Sequence, residues 1–252
     1  MILDKFKLDG QWAMVTGDSR GIGQAIAIAF AEAGANIIGI DIETPRETSE
    51  KIKALGRRHL WKQVNLLEAT PVTLSQVVQL IIAETDHIEI LVNNAGINYK
   101  AGVFDYDPQH WNDLIQMNLN APWFLAREVA RHMVEKGKGK IISIASIFSH
   151  QGGIDCPGYV AAKHAVRGFT KAMANELACK GVNVNTISPG YIHTRMTDAL
   201  HDNPKYKVET RIPARRWGTP EDIQGAALLL ASPAGDYIHG ADIVVDGGWL
   251  GY

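Results

Sequence analysis

The stretch Thr16-Gly17-Asp18-Ser19-Arg20-Gly21-Ile22-Gly23 follows an apolar run at residues 12–16 and leads into a segment of helical period at 22–34. Glycines in such a turn let the backbone approach a pyrophosphate, and the N-terminus of the next helix offers free N–H groups to it. A glycine-rich turn on its own can instead be a tight connection between a strand and a helix. Because related signals recur along this chain, we interpret the stretch as the phosphate-binding turn of a dinucleotide-binding fold.

Short β-branched runs alternate with longer segments of helical period, and this alternation is typical of a parallel sheet with crossover helices. The runs are continuously apolar, as in strands that are covered on both faces. We therefore predict an α/β fold: a single doubly wound Rossmann-type domain, residues 1–252, with a seven-stranded parallel sheet. The predicted strands are 12–16, 36–41, 59–64, 88–93, 140–146, 182–188 and 242–245, and the predicted helices lie near 22–34, 44–56, 70–85, 108–118, 121–136, 158–180 and 219–231.

One long segment, residues 190–218, lacks clear periodicity and carries two prolines and several charged side chains. Segments of this length inside a compact domain are usually lids or binding loops. We therefore predict that residues 190–218 form a substrate-binding loop or lid.

The composition excludes several classes of protein. The 252 residues are 46% hydrophobic with a net charge of −2, which argues against disorder and against the basic surface of a nucleic-acid-binding protein. No apolar run approaches the roughly 18 to 20 residues of a membrane helix, and Asp4 interrupts what would be the core of an export signal. The two cysteines and nine histidines show no metal-ligand spacing. We expect a cytoplasmic protein that binds a small molecule but no metal, nucleic acid or membrane.

The acidic residue at the end of the second predicted strand bears on the choice of dinucleotide. Asp41 follows Gly23 by 18 residues. A carboxylate at that place can accept both hydroxyls of an adenosine ribose and repels a 2′-phosphate. Arg20 favours NADP instead, because a guanidinium can pair with that phosphate. We expect the cofactor to be NAD, with NADP less favoured.

Two further motifs fall at the same predicted edge of the sheet. Asn93-Asn94-Ala95-Gly96 ends the fourth predicted strand, where ligands of open α/β sheets bind, although Asn and Gly also favour an ordinary capped turn. Tyr159 and Lys163 are four residues apart, so both lie on one face of a helix, where the ammonium favours the phenolate. This pair alone is more often an ordinary surface pair.

Ser146 gives the Tyr–Lys pair more weight. It stands 13 residues before Tyr159, at the end of the fifth predicted strand, where its hydroxyl can donate a hydrogen bond to a substrate oxygen. Ser143, further inside the strand, and Ser149, in the loop beyond, are alternatives that remain open.

The chain resembles the short-chain dehydrogenase/reductase family over essentially its whole length. The resemblance rests on five motifs in the order of that family: T-G-x-x-x-G-x-G, N-N-A-G, a strand-end Ser, Y-x-x-x-K and Ser188-Pro189-Gly190. The resemblance implies hydride transfer between a nicotinamide and a carbon that bears an alcohol or ketone. It implies Tyr159 as general acid/base, Ser146 as the group that holds the substrate oxygen, and Lys163 as the group that lowers the tyrosine pKa. It also implies Asn118, rather than Asn120, as the residue whose helix holds a water in a proton relay.

The family resemblance also implies cofactor contacts and an assembly. Asn65 stands where the family usually has an Asp at the adenine, and helices 121–136 and 158–180 would pair across subunits in a homotetramer. The implied cofactor-binding residues are Gly17, Ser19, Arg20, Ile22, Asp41, Asn65, Leu66, Asn94, Ala95, Gly96, Tyr159, Lys163, Pro189, Gly190, Ile192 and Thr194.

Several stretches, among them Arg211-Ile212-Pro213-Ala214-Arg215-Arg216-Trp217-Gly218, resemble the branch of the family that acts on deoxy keto sugar acids in hexuronate catabolism. Two pocket stretches depart from that branch: Ile97-Asn98-Tyr99-Lys100 lacks an expected arginine pair, and Thr194-Arg195-Met196-Thr197 replaces an Asn-rich segment. The alternatives are a reductase of a neutral ketone, polyol or sugar, and a non-catalytic dinucleotide-binding protein. The candidate substrate-binding residues are Asn98, Lys100, Gln151 and Arg195, with His150 and Arg211 as further candidates.

Overall fold

In the computed structural model, which describes residues 1–203 and 207–251, seven strands pair into one parallel sheet. The strands are β1 (Trp12–Thr16), β2 (Asn36–Asp41), β3 (His59–Gln63), β4 (Ile90–Asn93), β5 (Gly139–Ile144), β6 (Val182–Pro189) and β7 (Asp242–Val245). Their order across the sheet is β3-β2-β1-β4-β5-β6-β7. The chain therefore runs outward from β1 in one direction and then from β4 in the other, which confirms the predicted doubly wound Rossmann-type sheet.

Helices cover both faces of this sheet. They are α1 (Gly21–Glu32), α2 (Arg46–Ala54), α3 (Pro71–Thr85), α4 (Pro108–Ile115), α5 (Ala121–Lys136), α6 (Pro157–Leu177), α7 (Asp198–His201), α8 (Val208–Arg211) and α9 (Gln224–Ala231). None of these helices combines the length and the apolar content that crossing a lipid bilayer needs.

The hydrophobic core has two layers, one on each face of the sheet. On β1, Met14 packs into the layer beneath α3, α5 and α6, whereas Ala13 and Val15 pack into the layer beneath α1 and α9. Successive side chains of a strand point to opposite faces, so a strand covered on both sides must be apolar at every position. This is the physical reason for the continuous apolar runs that predict the strands.

The predicted strand ends agree with the observed ones within two residues, but several helix ends differ. The predicted helix 219–231 begins only at Gln224, after a 3-10 turn at Pro220–Ile223. The predicted helix 108–118 changes at Gln116–Asn120 into a π-helical turn, which leads directly into α5. The predicted helix 158–180 ends at Leu177, and a 3-10 turn follows it.

The segment 190–218, predicted as a substrate-binding loop or lid, contains the two short helices α7 and α8. Its two ends are fixed to each other: the Gly218 N–H donates to the Tyr191 carbonyl at 2.9 Å, and the His193 N–H donates to the Gly218 carbonyl at 2.9 Å. Residues 204–206 of this segment, and residue 252 of the predicted domain, lie outside the described residues.

Candidate active site

The glycine-rich turn after β1 forms a cradle with backbone and no side chain. Gly17 has φ +72°, a conformation that favours glycine, and a Cβ at Gly23 would lie 2.1 Å from the Gly17 carbonyl oxygen. The turn leads into the N-terminus of α1, whose first N–H groups have no partner within the helix. Open backbone next to a helix N-terminus fits a pyrophosphate, so the residues present fit a dinucleotide.

Asp41 stands at the end of β2 and is held there by two backbone donors. Its Oδ2 accepts the Ser19 N–H and its Oδ1 accepts the Glu43 N–H, each at 3.0 Å. The Arg20 guanidinium donates to the Glu43 carboxylate, and a nitrogen of Arg195 lies 3.9 Å from the other oxygen of Glu43. Glu43 therefore engages the cation that could have paired with a 2′-phosphate, a role that sequence reasoning missed.

The two residues after β3 that are predicted to contact the adenine use their side chains within the protein. The Asn65 Oδ1 accepts the Leu67 N–H at 3.1 Å, so this side chain caps its own turn. The Leu66 side chain is buried in the core layer beneath α3. Leu66 can therefore offer a cofactor only backbone groups.

The N-N-A-G turn after β4 is tied to the end of β1. The N–H groups of Asn94 and Ala95 both donate to the Thr16 hydroxyl, at 2.9 and 3.0 Å, and the Asn94 side-chain amide donates to the Thr16 carbonyl at 2.9 Å. A Cβ at Gly96 would lie 2.9 Å from the Asn118 Oδ1. The turn thus has a structural role, because it holds the ends of β1 and β4 together beside the glycine-rich turn.

Asn118 lies in the π-helical turn and faces the loop after β4. Its Oδ1 accepts the Ile97 N–H at 2.9 Å, and its Nδ2 donates to the Ile97 carbonyl at 2.8 Å. Asn120 instead donates to the Gln116 side chain at 3.2 Å. A π turn displaces the regular helix hydrogen bonds and occurs often at functional sites. The geometry favours Asn118 over Asn120 as the residue that shapes the site.

Ser146, Tyr159 and Lys163 meet where β5 ends and α6 begins. Ser146 and Lys163 are 7% and 5% exposed, and the Lys163 Nζ lies 5.5 Å from the centre of the Tyr159 ring. Burial raises the pKa of Tyr159 to about 12, and a hydrogen bond with the Ser146 side chain opposes that rise. Burial lowers the pKa of Lys163 to about 8. The Lys163 ammonium donates to the Ile144 carbonyl at 2.6 Å, which fixes it beneath the tyrosine ring.

Of the three serines that the sequence leaves open, the structure brings Ser146 to the tyrosine. Ser146 follows the end of β5, and its hydroxyl oxygen accepts the Phe148 N–H at 3.2 Å. Ser143 lies inside β5, with its hydroxyl buried and without a partner among the described residues. Ser149 does not point into an open loop, as expected, but is buried and donates to the Lys163 carbonyl at 2.8 Å.

His150, a candidate for contact with substrate hydroxyls, is engaged elsewhere. Its Nε2 lies 2.7 Å from the Asp242 Oδ2, and the Arg167 Nε lies 3.0 Å from the same oxygen. A second nitrogen of Arg167 donates to the Ser149 carbonyl at 2.8 Å. This ion cluster holds α6 against β7 and the turn after β5, and sequence reasoning missed it because Asp242 is distant along the chain.

Comparisons with known proteins agree with this arrangement. A family model described as enoyl-(acyl carrier protein) reductase matches residues 17–250. A protein of Dickeya dadantii named 2-dehydro-3-deoxy-D-gluconate 5-dehydrogenase is 44% identical over 253 residues, which cover 99% of each chain. The protein of the same name from Escherichia coli is 44% identical over 255 residues, again 99% of each.

The chain belongs to the short-chain dehydrogenase/reductase family. It is thus an oxidoreductase that acts on CH–OH groups and needs a nicotinamide dinucleotide. Among solved structures, a gluconate 5-dehydrogenase from Burkholderia cenocepacia in complex with NADP and tartrate superposes with a TM-score of 0.94. That protein is 36% identical and the match covers 100% of both chains.

In this short-chain dehydrogenase/reductase, the start of the segment 190–218 lies beside the glycine-rich turn. A Cβ at Gly21 would lie 3.6 Å from the Thr194 Cγ2, and Ile192 is buried in the core layer of α1 and α9. A Cβ at Gly190 would lie 2.7 Å from the Asp246 Cα, so only glycine fits there. The predicted residues Pro189, Gly190, Ile192 and Thr194 thus lie at or next to the end of β6, and Thr194 lies beside the glycine-rich turn.

The candidate substrate-binding residues separate into two groups. Arg195 is 73% exposed and lies beside Glu43, just beyond the end of β2. Lys100 is exposed and precedes Ala101, whose N–H donates to the Asp155 carbonyl at 2.9 Å, so it lies near the segment that leads into Tyr159. Gln151 is half-buried, and the Asn98 Oδ1 is buried with no partner among the described residues.

Arg211 lies on α8 and stacks on Trp249, with its guanidinium carbon 4.1 Å from the ring centre. Trp249 belongs to an apolar cluster that also contains Ile147, Ile212, Phe148, Tyr191, Val208 and Leu250. Phe148 in turn packs edge-on against the Tyr159 ring, 6.2 Å between centres. This apolar cluster therefore connects Arg211, in the segment 190–218, to Tyr159.

The expectation of no metal rests on sequence spacing alone. Among the described residues, His193, His201 and Asp202 have ligand atoms within 4.8 Å of one another, and all three are exposed. The two imidazole rings stack on each other at 3.9 Å, and Asp202 already bonds to His201 at 2.9 Å. This group lies in the segment 190–218.

Proposed function

We propose that the protein transfers a hydride between NAD(H) and the secondary alcohol or ketone of a deoxy keto sugar acid, of the 2-deoxy-D-gluconate or 2-dehydro-3-deoxy-D-gluconate type, in hexuronate catabolism. The observation that carries this proposal is the meeting of Ser146, Tyr159 and Lys163 at the sheet edge that also carries the dinucleotide cradle. The names of the relatives at 44% identity support the substrate class.

The chain's residues would hold the dinucleotide in three places. The turn from Gly17 to Gly23 would bind the pyrophosphate, Asp41 the adenosine ribose, and the strand-end segment at 189–194 the nicotinamide. When bound, the dinucleotide supplies the hydride acceptor or donor. The Lys163 Nζ lies 5.5 Å from the centre of the Tyr159 ring, so its charge acts on the phenol while the ammonium would hold a ribose hydroxyl.

The proton part of the reaction falls to three side chains. The Ser146 hydroxyl would donate to the substrate oxygen and hold it within reach of the Tyr159 hydroxyl. In reduction the phenol gives its proton to that oxygen, and in oxidation the phenolate takes it back. The Lys163 ammonium stabilises the phenolate, and the π turn at Asn118 leaves displaced carbonyls that can hold a relay water.

We propose NAD rather than NADP because two carboxylates occupy the place of the 2′-phosphate. Asp41 is fixed by two backbone donors, and Glu43 engages Arg20. Placing a phosphate dianion there would bring like charges together. The solved gluconate 5-dehydrogenase binds NADP, so cofactor selectivity differs within the family and has to be measured.

The two directions of the reaction are expected to depend on pH differently. Oxidation needs the Tyr159 phenolate, whose population rises with pH because its pKa lies near 12. Reduction needs the phenol, so its rate should not change with pH at low pH. Lys163 loses its charge above its pKa of about 8, so oxidation should stop rising there and reduction should start to fall. Initial rates in both directions between pH 6 and 10 test this, and slopes of the same sign would contradict it.

The proposed substrate class predicts a strong dependence on Arg211. A carboxylate needs a cationic partner, and bonds to charged groups are worth about 1.5–3 kcal/mol. Arg211→Ala should raise KM for uronate-derived keto acids by about tenfold or more and leave KM for neutral ketones unchanged. NADH-coupled assays over a panel of both substrate classes measure this.

Arg195→Ala is the matched control, since Arg195 is also a lid arginine but lies beside Glu43. It should leave KM for the keto acids unchanged. Turnover of neutral ketones or polyols but no keto acid would overturn the substrate class and favour the neutral-carbonyl reductase.

Two further expectations belong to this proposal. A homotetramer would use the outer faces of α5 and α6. Within one subunit these two helices contact each other through the edge-on pair Trp123 and Phe169, 5.5 Å between ring centres. Light scattering of the purified chain would test that assembly. A cytoplasmic location agrees with the two free cysteines and stays a prediction.

A further inference from the structure

Three side chains form a hydrogen-bonded chain beneath the glycine-rich turn. The His59 Nε2 lies 2.9 Å from the Asp18 Oδ2, and the His59 Nδ1 lies 2.7 Å from the Ser49 Oγ. The Asp18 and His59 side chains are fully buried. Asp18 belongs to the turn, Ser49 to α2 and His59 to β3, so this chain joins three segments on the adenosine side of the sheet.

The direction of the hydrogen bonds among Asp18, His59 and Ser49 follows from which of their atoms can donate. A carboxylate oxygen can only accept, so the His59 Nε2 carries a proton and donates to Asp18. The other oxygen of Asp18 is buried and has no partner among the described residues. A buried carboxylate without a donor is costly, so His59 is the group that makes an acid tolerable under a phosphate-binding turn.

The same three residue types form hydrolytic triads, but the geometry here is different. In a triad the imidazole Nε2 faces the serine and the Nδ1 faces the acid. Here the ring faces the opposite way, and both Asp18 and His59 are fully enclosed. These three hydrogen-bonded side chains therefore hold segments together rather than activate Ser49.

Further bonds fix the backbone around Asp18. The Thr48 hydroxyl donates to the Asp18 carbonyl at 2.8 Å, and the Gln24 side chain donates to that hydroxyl at 3.0 Å. β2 leaves space for the carboxylate through Gly39, where a Cβ would lie 2.3 Å from the Asp18 Oδ2. Asp18 is thus held by its side chain and by its main chain.

The anchored residue is next to the one that positions Asp41. The Ser19 N–H, immediately after Asp18, donates to the Asp41 Oδ2. We infer that Asp18, His59 and Ser49 form a positioning network that fixes the turn against Asp41 and so sets the affinity for the adenosine half of the dinucleotide. This inference rests on the proposed NAD-dependent function. None of the three side chains has to touch the cofactor for this role.

The test uses the full chain and NADH and NADPH as probes. His59→Leu removes both bonds of the imidazole and should raise Kd for NADH about tenfold in fluorescence titrations. Because Asp41 then loses its fixed position, Kd for NADPH should rise less, so the ratio of the two constants shifts toward NADPH. The kcat at saturating NADH should stay within about twofold, since Tyr159 is untouched.

Two other variants separate positioning from general loss of stability. His59→Gln retains a donor for Asp18 and should restore most of the NADH affinity, whereas His132→Leu removes another buried histidine on α5 and should leave both constants unchanged. If His59→Leu does not fold, Ser49→Ala decides, with an expected rise of about threefold in Kd for NADH.

Equal NADH affinity of the wild type and the His59 and Ser49 variants would overturn the inference and leave the proposed function intact. A parallel rise of both dissociation constants would also overturn it, because that result indicates general loosening. No binding of either dinucleotide by the wild type would overturn the proposed function itself.

Discussion

Tyr159→Phe is expected to lower kcat by about 10³-fold in both directions, the range that a positioned general acid/base contributes. The change removes one oxygen and leaves the ring that packs against Phe148, 6.2 Å between centres. The phenol is the titrating group that the structure places in hydrogen-bond contact with the Ser146 side chain. Without it, the substrate oxygen has to exchange its proton with water.

The loss should appear in kcat and hardly in cofactor binding. Lys163 still donates to the Ile144 carbonyl and can still hold a ribose hydroxyl, so Kd for NADH should change less than about threefold. Tyr106→Phe is a matched control, because Tyr106 is another partly buried tyrosine whose pKa burial raises. Stopped-flow measurement of NADH consumption distinguishes the two variants. Full activity of Tyr159→Phe would show that another group moves the proton.

The sheet and the placing of Tyr159 and Lys163 on one helical face were predictable because their signals are local. The apolar runs report burial on both faces of strands such as β1, and the four-residue spacing of Tyr159 and Lys163 places both on one helical face. The choice between Ser143, Ser146 and Ser149 was not predictable. It depends on where β5 leaves the ladder and on how the following turn curls back, which the chain packing decides.

Other features depend on pairs that are distant in sequence. Asp242 meets His150 across 92 residues, and Asp18 meets His59 across 41. A sequence shows that such residues can ionise or form hydrogen bonds, but not which of many partners lies beside each one. The sequence therefore suggests His150 as a candidate for substrate contact. It indicates no role for Asp18 and His59, although the side chains of these two residues are completely buried.

Asp41→Ala is expected to reverse the cofactor preference. The aspartate would accept hydrogen bonds from the ribose hydroxyls, and losing bonds to a charged acceptor costs about 2 kcal/mol, or roughly 30-fold in Kd for NADH. The same change removes a negative charge from the place of the 2′-phosphate, so Kd for NADPH should fall. The turn should persist, because the backbone of Asp18 remains anchored by Thr48.

Charge and hydrogen bonding can be separated by two further variants. Asp41→Asn keeps an acceptor oxygen for the Ser19 N–H and removes the charge, so it should bind NADPH better while losing less affinity for NADH. Glu43→Gln weakens the ion pair that engages Arg20 and should improve NADPH binding alone. If Asp41→Ala leaves the ratio of the two dissociation constants unchanged, then Asp41 does not select the nucleotide. Selectivity would then depend on Arg20 and Glu43, which the double variant Asp41→Ala/Glu43→Gln would show directly.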